Sequence, residues 1–262
     1  MHVTCCGSGD PVLFIHGMPT NNRLWGGTIE HLRDRYTCFA IDLPGLGKTP
    51  RIQYGPGYML QLAEQIEALR IEHNITKWHI VGHDAGSAVA VHYAHYFQQQ
   101  VNCMALLSPA LFPELKPYYL IEPLRKPILG EVLAPVIQAI FWKVAMRHAL
   151  SDEEYGDEIV KDFHSPFSGF AGPWQFMSLM RWGKPAQLLA GVPDFLPHLL
   201  MPTLIFHGSR DAAIPEAFAH RASSLIPNAS MVTLNTGHFI PLHEPKLVAA
   251  SLDKFFERQL VH

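Results

Sequence analysis

The chain has 262 residues, 48% of them hydrophobic and 16% charged, with a formal net charge of -3. That length and apolar content suit one catalytic domain with room for an inserted subdomain. With no long run of like charge, the expectation is no nucleic-acid and no membrane partner; the longest apolar stretches (12–15, 103–107 and 203–206) are strand-sized and too short to cross a bilayer.

The first ten residues, MHVTCCGSGD, carry no charged n-region and no long apolar run, so they do not read as a signal peptide. Gly7-Ser8-Gly9-Asp10 reads as a hairpin turn, leaving the first six residues to supply one short strand at most. Strand-length apolar runs then follow at 11–15, 36–41, 77–81, 103–107, 203–206 and 230–234. Amphipathic helical patterns lie between and after them at 24–33, 58–73, 87–97, 217–225 and 245–259. This alternation predicts an α/β fold with a mostly parallel sheet covered on both faces. Residues 109–202 break it. They open with Pro109, Pro113, Pro117, Pro123 and Pro127 and continue as helical patterns at 129–150 and 152–163. The reading is a helical cap, 109–202, inserted into a core formed by 1–108 and 203–262; the prolines prevent one long helix at its start.

Four cysteines (Cys5, Cys6, Cys38 and Cys103) show no zinc spacing, and the two in strand-like runs read as buried free thiols. A cytoplasmic protein with reduced thiols is expected. His79 with His83, and His92 with His95, lack an accompanying thiolate or carboxylate cluster, so no metal and no other cofactor is expected. Gly45-Leu46-Gly47-Lys48-Thr49 superficially suggests a phosphate loop, but the spacing needs glycine at position 42, which is Asp42.

The chemistry centres on Gly82-His83-Asp84-Ala85-Gly86, set between a strand and a helix rich in small residues. That is the setting of a nucleophile elbow, G-x-Nu-x-G, whose glycines leave room for a strained turn. A helix start also favours negative charge, so Asp84 reads either as nucleophile or as a helix cap. Two later motifs decide for the nucleophile. Asp211 follows the fifth of these strands in His207-Gly208-Ser209-Arg210-Asp211, and His238 follows the sixth in Asn235-Thr236-Gly237-His238. The order Asp84, Asp211, His238 gives nucleophile, acid and base, each at the carboxyl end of a strand, where parallel sheets bind ligands.

Over nearly its whole length the sequence resembles the α/β-hydrolase family. His16-Gly17-Met18-Pro19 is similar to the family's H-G-x-P segment, and Asp42-Leu43-Pro44-Gly45-Leu46-Gly47 to its D-x-P-G-x-G loop. The resemblance implies an oxyanion hole from the N–H groups of Met18 and Ala85. An aspartate nucleophile resembles the epoxide hydrolase and haloalkane dehalogenase branch, and residues 16–25, HGMPTNNRLW, look close to dehalogenases.

A carboxylate is already ionised at neutral pH and can displace a leaving group from saturated carbon, forming an ester. His238, oriented by Asp211, would activate the water that hydrolyses it. Ordinary esters match poorly, because the adduct must expel an alkoxide, a worse leaving group than the carboxylate itself. An epoxide or similar apolar electrophile is the first expectation, a haloalkane the second, and a non-hydrolytic or ligand-binding use of the pocket the third. The resemblance implies a halide-donating Trp after the nucleophile and often Asn at the x of H-G-x-P; here these are Ala85 and Met18. It implies cap tyrosines for an epoxide, and the cap offers Tyr118, Tyr119 and Tyr155. Trp142, Trp174 and Trp182 could donate or line an apolar pocket, and His148 and His164 are further acid candidates. Every version takes an apolar small molecule.

Overall fold

The structure, a computed structural model, describes residues 1–53, 55, 57–116, 118–150 and 156–260. Seven strands form one sheet: β1 (Val3–Gly7), β2 (Asp10–Ile15), β3 (Tyr36–Ile41), β4 (Trp78–His83), β5 (Val101–Leu107), β6 (Thr203–Gly208) and β7 (Ala229–Leu234). Their order is β1-β3-β2-β4-β5-β6-β7; β1 runs antiparallel to β3, and every other pair is parallel. Every residue of β4 and β6 is buried, as a parallel strand covered on both faces requires, whereas the edge strand β7 is only partly buried. Helices α1 (Gly26–Leu32), α2 (Tyr58–Glu72) and α3 (Ala85–Tyr96) connect the first five strands. Later in the chain, α10 (Glu216–Leu225), α11 (Ile240–His243) and α12 (Pro245–Leu260) complete the layers on the sheet.

Between β5 and β6 the described residues form helices and no strand: α4 (Leu129–Ile140), a π-helical turn at Phe141–Met146, α5 (Arg147–Ala149), α6 (Gly156–His164), α7 (Gly172–Trp182), α8 (Pro185–Leu188) and α9 (Val192–Phe195). Pro123 lies in a separate 3-10 segment, Tyr119–Arg125, ahead of α4, so the prolines do divide this stretch. Pro135, by contrast, is accommodated inside α4. The sequence reading missed the reach of this apolar stretch. Leu129–Ala149 is one helical run of 21 residues, long and apolar enough by length and composition to cross a membrane, with 39% of its most apolar window buried inside the protein. Scattered polar residues (Glu131, Gln138, Lys143) hid the run from a search for unbroken apolar sequence.

Candidate active site

The carboxyl ends of β4, β6 and β7 bring the three expected residues to one edge of the sheet. Asp84 lies between β4 and α3 with φ +50 and ψ -123. Such a backbone is strained for a residue with a side chain, and its surroundings enforce it. A Cβ on Gly82 would lie 2.7 Å from the Gly86 carbonyl oxygen, and one on Gly86 would lie 2.4 Å from that of Ile15. A Cβ on Gly17 would lie 2.4 Å from the Cβ of Asp84. The three glycines therefore let β2, the elbow and α3 close around the carboxylate. The Asp84 side chain makes no N-cap bond further into α3 than the Ala85 N–H, so it does not act as an ordinary cap of that helix.

The Met18 N–H donates to Asp84 Oδ2 at 3.0 Å, and the Ala85 N–H also supports the carboxylate. Burial raises the Asp84 carboxyl above its ordinary value, against the opposing pull of His238 and these two N–H groups. The Asp84 backbone is tied at both ends: its N–H donates to the Leu107 carbonyl at 3.1 Å, and its carbonyl accepts from the Ala110 N–H at 3.2 Å.

His238 Nδ1 donates to Asp211 Oδ2 at 2.9 Å, and the Asp211 side chain is fully buried. The other oxygen, Oδ1, accepts from the N–H groups of Ala213 (2.7 Å) and Ile214 (2.9 Å). Burial alone would lift the Asp211 carboxyl, but the charge and hydrogen bond of His238, with the Ile214 N–H and Ser108, hold it well below the carboxylate range. Burial likewise opposes the His238 imidazolium, yet Asp211, with a smaller contribution from Asp84, raises its pKa. With Nδ1 committed to Asp211, Nε2 is the nitrogen available to a water. Ser108 sits at the end of β5, fully buried with φ +42.

Two further histidines hold the loops. His83 Nε2 donates to the His238 carbonyl at 2.9 Å, and burial lowers its pKa to about 3, so it stays neutral. His16 Nδ1 donates to the Gly17 carbonyl at 2.8 Å, while its Nε2 accepts from the Leu43 N–H at 2.9 Å. That links the His16–Pro19 segment to the loop starting at Asp42. Asp42 in turn accepts from the N–H groups of Asn22 (2.8 Å) and Lys48 (2.9 Å). Gly47, at φ +52, leaves room for that carboxylate: a Cβ there would lie 2.2 Å from Asp42 Cγ. Asp42 thus spends one oxygen on its own loop and the other on the segment that follows His16–Pro19, which accounts for the motif without a phosphate ligand.

Met18 and Ala85 also end an apolar cleft of about 20 Å³, room for about one water. Tyr58, Leu179, Trp182 and Leu188 help line it. A larger hollow of about 510 Å³ opens at the β1 edge, among residues including Asn22, Arg23, Glu30, Arg33 and Lys48. Arg23 is paired there with Glu158, and Arg33 with Glu30. The small cleft, not this hollow, adjoins Asp84.

The expected donors divide. Trp182 lines the cleft, with its ring centroid 4.2 Å from that of Tyr58. Tyr118 and Tyr119 are exposed and pack on each other at 4.7 Å, so neither lines the cleft. Tyr155 lies outside the described residues. Trp142 is buried among Phe141, Phe167, Phe176 and His164, also away from the cleft. His148 is exposed, and Trp174 donates its indole N–H to the Glu131 carbonyl at 3.2 Å. Tyr58 is the residue that sequence reasoning missed. It opens the helix after β3, and helix starts that follow parallel strands lie at the carboxyl edge where the site forms.

The family profile described as alpha/beta hydrolase fold matches residues 10–245. A 2-hydroxy-6-oxo-6-(2'-aminophenyl)hexa-2,4-dienoic acid hydrolase of Metapseudomonas resinovorans is 25% identical over 97% of this chain and 86% of its own length. A cis-3-alkyl-4-alkyloxetan-2-one decarboxylase of Shewanella oneidensis is also 25% identical, over 92% of this chain and 80% of its own. Among solved structures, a haloalkane dehalogenase from Bradyrhizobium elkani shares the fold with a TM-score of 0.81 at 22% identity, covering 99% of this chain and 94% of that one. With its parallel sheet, its strained elbow after β4 and a profile match spanning most of its length, the chain belongs to the α/β-hydrolase fold family.

Proposed function

We propose that this chain is a hydrolase in which the Asp84 carboxylate attacks a saturated carbon of an apolar, strained electrophile, first of all an epoxide. The observation that carries the reading is an aspartate, not a serine, at the left-handed elbow position, with its carboxylate held by the Met18 N–H. Attack forms the Asp84–carbon ester bond and breaks the ring C–O bond, and the ring oxygen takes a proton from the Tyr58 phenol at the cleft. A water then gives a proton to His238 Nε2 and attacks the ester carbonyl carbon. The resulting oxyanion is stabilised by the Met18 and Ala85 N–H groups. Collapse expels the alkoxide, which takes the proton from His238; the diol leaves, Asp84 retains one water oxygen, and the water's second proton, left on the Asp84 carboxyl, returns through solvent to the Tyr58 phenolate. The helical segment between β5 and β6 caps the site and shapes its apolar wall.

A second reading has a specific observation in its favour. Neither Ala85 nor Met18 carries a side-chain hydrogen-bond donor. A four-membered lactone opened at saturated carbon releases a carboxylate, which needs no proton, and the Shewanella relative is by name an oxetan-2-one decarboxylase. For a haloalkane, the described donors at the cleft are the Trp182 indole and the Tyr58 phenol, without the usual neighbour at position 85.

Intact-protein mass separates these substrates. In a His238→Gln variant the ester accumulates: an epoxide adds its full mass at Asp84, and a haloalkane adds its mass less HX. A lactone adds its full mass, or leaves nothing once carbon dioxide and alkene depart. No adduct with any of the three, together with unchanged turnover in Asp84→Asn, would refute the mechanism.

A further inference from the structure

The outer side of the helical run starting at α4 is unusual for a protein surface. Val132, Val136, Ile140 and Val144 follow one another at four-residue intervals, each a neighbour of the next on the helix surface, and Ile128 immediately precedes α4. Their exposures are high: 80% for Ile128, 69% for Val132, 56% for Val136 and 60% for Val144. Phe170, 92% exposed, extends the patch, since it packs against Trp174 at 5.6 Å and Trp174 is bonded to the Glu131 carbonyl in the first turn of α4. The opposite side of the helix is anchored in the protein by Ala134, Ile137, Phe141 and Trp142, and Gln138 donates to the Phe167 carbonyl at 2.8 Å. So the helix does not span a membrane. It presents an apolar strip on the order of several hundred Å², comparable to the largest patch usual on a monomer.

The charges around the strip identify what covers it. Lys126 lies just before its start and Lys143 sits beside Val144; both are exposed and, among the described residues, neither forms an ion pair. The acid at the strip, Glu131, is committed to Arg181 at 2.5 Å. A dry contact with a second copy would bury the Lys143 ammonium, and among the described residues the acid at the strip is already taken by Arg181. At a lipid surface the same residue is an asset, because its aliphatic stem lies among the apolar side chains while the ammonium reaches the phosphates.

Against the expectation from sequence, we propose that this strip, with Phe170 as an aromatic anchor, docks the protein on a phospholipid bilayer, its axis lying in the plane of the interface. α7 packs beneath α4 and contributes Leu179 and Trp182 to the cleft, so docking would set the cleft layer directly under the lipid contact. The inference is independent of the chemistry at Asp84 and is tested without substrate. The full chain is mixed with vesicles of phosphatidylcholine and phosphatidylglycerol (3:1), floated through a density gradient, and the bound-to-free ratio is measured. Wild type is expected to float, and Val136→Glu/Val144→Glu to float at least tenfold less at an unchanged melting temperature. Val136→Leu/Val144→Leu is expected to bind as wild type does. Failure of the wild type to float, or equal flotation of the Glu variant, overturns the proposal. So does a wild-type dimer in sedimentation that the Glu variant converts to monomer while vesicles go unbound.

Discussion

The sheet edge that carries Asp84, Asp211 and His238 and the helical segment between β5 and β6 are built on opposite principles. At the sheet edge the carboxylates and the His238 loop are held by specific hydrogen bonds, and glycines remove freedom of fit. Asp211 has both oxygens engaged, His83 secures the His238 carbonyl, and a Cβ on Gly82, Gly86 or Gly17 would strike a neighbour. In the helical segment, side chains meet mostly through apolar packing, as in the cluster of Phe141, Trp142, Phe167 and Phe176. The first region leaves little tolerance for change; the second tolerates substitution of similar volume.

That contrast is broken most directly at the nucleophile. Asp84→Asn is expected to lower kcat by at least about 10⁴-fold, measured by steady-state turnover with any accepted electrophile. The same variant separates chemistry from stability. Because folding raises the Asp84 carboxyl above 3.8, its ionisation costs stability as pH rises past that value. Asp84→Asn should therefore melt at a higher temperature than wild type at pH 7 and show no such gain at pH 3. A lower melting temperature at pH 7 would remove the electrostatic account of the elbow.

Asp211→Asn is next, with turnover expected to fall by up to about 10⁴-fold. Wild-type ester hydrolysis should rise with pH through a value above 6.5, since Asp211 raises the His238 pKa; in the variant that limb should move to lower pH. The stability signs differ for the two partners. The raised His238 contributes stabilisation that is full below about 6.5 and is lost as pH climbs through its folded value. The depressed Asp211 contributes stabilisation present above 3.8 and lost as pH falls through its lower folded value. Thermal melting across pH should thus find this pair's support strongest between those values, below the pH of best turnover.

Tyr58→Phe gives a smaller and selective effect. Epoxide turnover should fall by about 10²–10⁴-fold, as for loss of a general acid, while a four-membered lactone should be opened nearly as before. An equal loss on both would make Tyr58 a packing residue. Smallest of all, Tyr118→Phe/Tyr119→Phe should change kcat/KM by less than a factor of two; a large loss would move the proton donor into the helical segment.

The two regions also differed in how far they could be read in advance. The strands were legible because each is a short apolar run ended by a turn, and β2 and β3 begin and end within a residue of where the pattern places them. The elbow was legible because its glycines stand at fixed places in a short motif, even though the atoms that demand them lie four or five residues on (Gly82 against Gly86 and Ser87) or on another strand (Gly86 against Ile15), and the Asp211–His238 pair because each follows a strand. Tyr58 was not, since its meeting with Trp182 depends on how a core helix and the helical segment pack together. The choice among Tyr118, Tyr119 and Trp142 failed for the same reason: helical periodicity states which side chains share a face but not which face meets the cleft.

One backbone detail bears on how such a protein can be rebuilt. The carbonyl of Asp84 is capped by the Ala110 N–H, just past the strained, buried Ser108. The first residues of the helical segment therefore belong mechanically to the Asp84 elbow. A graft that exchanged this segment for another should retain the native chain through Phe112, itself fully buried, and only then cross over. A seam cut at Pro109, the boundary that composition suggests, would sever the strut that fixes the elbow and import a foreign geometry at the Asp84 carboxylate.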